Sequence, residues 1–105
     1  MPSGPGSLQP QFAPQAEEDL NEIEDYISQD NAQAAGRLLR RLREVCIALA
    51  EQPYMGIARP EFGPTHRSFT VPSARYIIIY RLADAGIEIV HVRQGSQNLS
   101  QLFEQ

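Results

Sequence analysis

The chain predicts an α+β fold, a helical hairpin packed on one face of a small, mainly antiparallel sheet in the order β-α-α-β-β-β. Three observations carry this reading. Residues 14–51 repeat apolar side chains at three- and four-residue spacing, the pattern of helices with one buried face. Residues 65–95, THRSFTVPSARYIIIYRLADAGIEIVHVRQG, read instead as three short β-strands joined by brief links. Within them Tyr76 to Tyr80 is almost wholly apolar and β-branched, which suits a strand buried on both faces.

Residues 1–7, MPSGPGS, read as a flexible tail or cloning remnant, and residues 8–105 as one domain. Leu8 to Phe12 forms a first strand, which Pro10 confines to a sheet edge because it lacks a ladder donor. Pro14 to Ser28 forms the first helix: Ala16, Leu20, Ile23 and Ile27 make one stripe, and Pro14 suits the first turn. Glu17, Glu18 and Asp19 fall near its N-terminus, where the helix dipole favours negative charge. After Gln29 and Asp30, Asn31 caps a second helix over Ala32 to Glu51, whose stripe is Ala35, Leu38, Leu39, Leu42, Val45, Cys46 and Leu49. Pro53 marks its end, and the short break makes the two helices antiparallel. Tyr54 to Pro64 reads as a loop. Strands follow over 66–71, 75–82 and 87–93, and their short links imply an antiparallel meander. Gln97 to Phe103 predicts a short terminal helix.

Composition narrows the function. One hundred and five residues make a single small domain with modest buried area. The formal net charge of -4 argues against a general nucleic-acid binder. Residues 1–52 hold 4 Arg against 9 acids, and residues 53–105 hold 5 Arg against 4 acids, so the sheet half is the basic one. All 9 cations are arginine, the planar fork that suits carboxylates and phosphates. A single cysteine, Cys46, precludes an internal disulfide and fits a reducing cytoplasm. No apolar run approaches the roughly 20 residues of a membrane span, and no secretion signal is evident. The scattered His66, His91 and Cys46 lack the spacing of a zinc site, and there is no glycine-rich phosphate loop. The chain therefore calls for neither a metal nor a cofactor.

Five stretches taken together carry a family likeness: AEEDLNEIEDYI (16–27), LLRRLREVCIALAEQPYMG (38–56), RSFTV, RYIIIYR and GIEIVHV. In this order and spacing they resemble the ParE branch of the RelE/ParE toxin superfamily, over roughly residues 8–100. The resemblance implies the toxin of a bacterial type II toxin–antitoxin pair. It implies a toxin that stalls DNA gyrase by binding, that a cognate antitoxin neutralises, and that meets operator DNA only through that antitoxin. RelE-type members of the same superfamily cut messenger RNA on the ribosome. After the last strand, many members read H-G-A-R-D or a near variant. Here the stretch is Gln94-Gly95-Ser96-Gln97-Asn98, so the histidine and arginine positions are neutral amides.

Several residues are candidates for contact with a target or antitoxin. Arg67 and Arg81 look like the family's two sheet arginines and could grip a carboxylate bidentately, or pair within the fold. Arg75 and Arg93 lie at strand ends, as contacts or as solvated edge charges. Tyr76 and Tyr80 share parity, so their rings face one side, either as a platform for a base or as core. His91 is the candidate acid or base for the ribonuclease alternative, with Glu61 as a second group. Simple alternation puts His91 on the face of Ile87 and Ile89, where a histidine is usually structural. Cys46 lies in an apolar stripe and reads as an inert buried thiol.

Overall fold

In the computed structural model, which describes residues 9–72 and 74–95, the elements are β1 (Gln11–Phe12), α1 (Pro14–Ser28), α2 (Ala32–Glu51), β2 (Ile57–Ala58), β3 (His66–Val71), β4 (Tyr76–Ala83) and β5 (Gly86–Gln94). The sheet order is β1-β5-β4-β3-β2. β1 runs parallel to β5, and the remaining pairs are antiparallel. The β-α-α-β-β-β order holds, with one strand added. β2 lies inside the stretch read as a loop, and two residues are too few to show alternation. The tail at 1–7, Leu8 and the terminal helix at Gln97 to Phe103 fall outside the described residues.

Local chemistry sets the helix boundaries. α1 opens on Ala13 in an extended conformation with Pro14 just inside, where a missing N–H costs nothing. α2 is capped by the Asn31 side chain, which accepts from the Ala34 N–H at 3.0 Å. Asn31→Ala is expected to destabilise the fold by about 1 kcal/mol, measured by urea denaturation.

Both helices lay their apolar stripes on one sheet face. Leu20, Leu39, Leu42, Cys46 and Leu49 meet Val71, Tyr76, Ile78, Tyr80, Ile87, Ile89 and Val92 in a continuous core. On the opposite face Ile77, Ile79 and Ser68 are buried as well. Part of the loop before β3 folds over that side. Arg59 Nη1 donates to Ser68 Oγ at 2.9 Å, and the His66 ring packs so closely on Gly63 that a Cβ there would lie 2.4 Å from His66 Nδ1. The Tyr76 to Tyr80 run is thus buried on both faces.

β5 carries a bulge. Tyr80 pairs with Ile89, but Ile79 pairs with His91, so Val90 is an extra residue. Directly opposed residues share a face, and the inserted residue reverses parity. Ile87, Ile89 and Val92 all join the helix-side core, whereas His91 and Arg93 sit opposite Ile79 and Ile77 on the other face. The alternation that placed His91 with Ile87 and Ile89 is therefore corrected. The links differ in detail as well. Arg75 belongs to the β3–β4 turn and takes a left-handed φ of 59°. Asp84 and Ala85 alone separate β4 from β5.

Candidate partner-binding surface

The first functional feature follows from how α1 leaves the sheet. β1 covers β5 only at Glu88 and Ile89, and the Ala13 N–H then bonds the Ile89 carbonyl at 2.9 Å. Beyond that point α1 replaces a strand. Its Asp19 carboxylate accepts the Val92 N–H at 3.0 Å and the Gln15 amide at 2.9 Å. His91 Nδ1 lies 3.5 Å from the same carboxylate and Arg93 Nε 3.3 Å from it. Asp19 is only 3% exposed. Burial pushes its pKa upward, but the His91 contact, the Val92 N–H, the Gln15 amide and the Arg93 charge together hold it below the usual carboxylate value. The sequence reading gives Asp19 only a favourable place near the helix N-terminus and no partner in the sheet. The available signal was its position between Ala16 and Ile23, beside the apolar stripe.

Alongside this cluster runs a groove of about 480 Å³ between α1 and the end of β5, walled by Glu22, Ile23, Tyr26, Tyr76, Arg93 and Gln94. The exposed Tyr26 stands at its rim.

The second feature lies at the other margin of the sheet. Tyr80 is fully buried. Its hydroxyl donates to the Pro53 carbonyl at 2.7 Å and accepts the Gly56 N–H at 3.0 Å. Gly56 sits so close that a Cβ would lie 2.6 Å from both Ser68 O and Tyr80 Oη, a position only glycine fills without displacement. Arg67 grips the same loop from outside. Its Nη2 donates to the Gly56 carbonyl at 2.6 Å and its Nε at 3.1 Å, and its guanidinium stacks 5.1 Å from the Tyr54 ring centroid.

The candidate residues are therefore scattered. Arg67 holds the loop, while Arg81 Nε pairs with Glu88 at 2.7 Å across β4 and β5. That half-exposed pair contributes at most about 1 kcal/mol. Arg93 belongs to the Asp19 cluster. Arg75 is exposed in its turn, and its carbonyl accepts from Gly95 N–H at 2.9 Å. Of the two readings of Tyr76 and Tyr80, the structure gives the core one and not a platform for a base. Tyr80 has no exposed surface and Tyr76 is 7% exposed, because the helices cover the face that both rings share. His91 and Glu61 are each engaged separately. His91 is buried against Asp19. Glu61 is exposed and pairs with Arg59 at 2.7 Å, a contact that lowers its pKa. Burial lowers the pKa of His66, helped by the nearby Arg81 charge, and burial pushes the Cys46 thiol up to about 12, far from a thiolate nucleophile.

Residues 11–99 match the model of the family described as ParE toxin of type II toxin-antitoxin system, parDE. The chain belongs to the ParE toxin family. It is 35% identical over 84 residues to Y4kP of Sinorhizobium fredii (strain NBRC 101917 / NGR234), covering 80% of this chain and 84% of that protein. It is 35% identical over 79 residues to Toxin RelE2 of Caulobacter vibrioides (strain ATCC 19089 / CIP 103742 / CB 15), covering 75% of this chain and 85% of that protein. Its fold is similar to a chain of the chromosomal ParDE TA system from P. aeruginosa, with a TM-score of 0.68 and 20% identity over 83% of this chain and 95% of that one.

As a ParE-family toxin, the chain keeps the helical hairpin and mixed sheet of that fold. Gln94, the first residue of the stretch that departs from the wider pattern, closes β5 and is exposed. Ser96, Gln97 and Asn98 fall outside the described residues.

Proposed function

We propose that this ParE-family toxin inhibits DNA gyrase by binding, and that a cognate antitoxin neutralises it in the cytoplasm. The observation that carries the binding mode is the engagement of the groups with acid–base chemistry. His91 is buried against the Asp19 carboxylate, and Glu61 pairs with Arg59 in a separate loop. A general base needs reach to its proton; His91 is withheld by burial, and Glu61, though exposed, is tied to Arg59. The net charge of -4 is consistent with contact to operator DNA made by the antitoxin. Gyrase as the target follows the family's behaviour.

Inducing the toxin in bacteria without an antitoxin tests this reading. Growth and plasmid supercoiling are scored, with purified gyrase as the follow-up. The expected result is growth arrest with relaxed or cleaved DNA. Arrest with intact topology and cleaved ribosome-bound messenger RNA would move the activity to the RelE-type alternative. Healthy growth at confirmed expression would leave a binding partner without toxicity and would implicate the Gln94 to Asn98 departure.

A further inference from the structure

Five large apolar side chains are exposed among the described residues, and three of them fall within residues 54–57: Tyr54 at 72%, Met55 at 40% and Ile57 at 65%. Single exposed apolar residues are ordinary, whereas a cluster marks an interaction surface. This cluster rests on a built support. The Tyr80 hydroxyl fixes both ends of the loop from inside, and Arg67 clamps the Gly56 carbonyl from outside. Buried polar groups and a close-packed glycine thus hold wet, apolar side chains in one geometry. Tyrosine and methionine are also residues that interfaces favour.

Arg67 supplies the charge. Its guanidinium meets the Gly56 and Tyr54 carbonyls and the Tyr54 ring, but no carboxylate among the described residues. Arg43, Arg59, Arg81 and Arg93 all do meet one. A cation held beside apolar side chains without a counter-ion is complementary to an acidic group. Beside the patch, a cleft of about 330 Å³ runs along the outer margin of β3, lined by Met55, Ile57, Ser68, Phe69, Thr70 and Ile77.

We propose that Tyr54, Met55, Ile57 and Arg67 form the docking surface for an acidic, apolar segment of the antitoxin. Apolar side chains of that segment cover Tyr54 and Ile57 and enter the cleft, and a carboxylate meets Arg67. The site rests on the toxin–antitoxin reading above and assigns it a surface away from the groove beside α1.

The test is calorimetric titration of the full chain with its cognate antitoxin, comparing the unaltered toxin, Tyr54→Ser/Ile57→Ser and Arg67→Gln. Tyr54 and Ile57 are exposed, so the double variant should fold, and unchanged circular dichroism and urea midpoint check this. The expected result is more than tenfold weaker binding by the double variant. Raising salt should weaken binding of the unaltered toxin more than that of Arg67→Gln. Affinities within twofold for all three proteins would overturn the site and leave the antitoxin reading standing. No binding by the unaltered toxin would overturn that reading and the site with it. A dimer of the toxin alone that the double variant dissociates would assign the patch to self-association and overturn the proposal.

Discussion

Asp19→Ala is expected to cost about 3–5 kcal/mol of folding stability, the range for removing one partner of a buried charged cluster. The carboxylate accepts the Val92 N–H at 3.0 Å and lies 3.3 Å from Arg93 Nε and 3.5 Å from His91 Nδ1. Removing it strands a buried donor and leaves the Arg93 charge without its counter-ion. Urea denaturation followed by circular dichroism measures the loss. Asp19→Asn should cost less, because its amide oxygen can still accept from Val92. The folded-state pKa of Asp19 lies below the ordinary 3.8. Its ionised form therefore contributes stability that is complete above that value and is lost as pH falls through the folded pKa. Between about pH 5 and pH 2 the unaltered protein should lose stability more steeply than Asp19→Asn. Parallel curves would show that the carboxylate does not hold the β5 margin.

Tyr80→Phe is expected to cost about 1–3 kcal/mol with little change in packed volume. The phenyl ring still fills the core, but the Pro53 carbonyl loses its donor and the Gly56 N–H loses its acceptor. A lower urea midpoint with an unchanged m-value measures the stability term. Hydrogen exchange adds a local readout: the Gly56 amide should exchange faster in Tyr80→Phe, ahead of the β4 amides. Equal protection at Gly56 would mean that Arg67 alone holds the loop. Because the loop carries Tyr54 and Met55, this core substitution should also weaken antitoxin binding without touching an exposed residue.

Periodicity made most of the fold legible. The helix spans Pro14 to Ser28 and Ala32 to Glu51 and the strand 66–71 match the structure, because each element buries a stripe or a face long enough to repeat. β2 was illegible because two residues cannot show a period. His91 was misplaced because one inserted residue at Val90 leaves no compositional trace, and only the pairing reveals the change of parity. The candidate site was less legible than the fold. Arg67 was visible as a sheet cation, but its grip on the Gly56 carbonyl depends on a contact 11 residues away in sequence. Asp19 stood in a run of acids that chemistry alone does not distinguish. Only its placement against Val92, 73 residues later, separates it from the solvated carboxylates around it. Tyr76 and Tyr80 show the reverse problem, since side chains suited to stacking are equally suited to a core.

The Asp19 contact also limits how this protein can assemble. Beyond β1, the edge of β5 ends in a carboxylate and a helix, so a neighbouring molecule finds the Val92 N–H already satisfied. Among the described residues the opposite margin, at β2, has no such plug. Strand addition to β5 beyond β1 is therefore closed, whereas β2 offers an edge to which an extended segment can pair. Closing that stretch of β5 backbone removes one of the bare edges from which open-ended fibres of a small β-rich protein would grow.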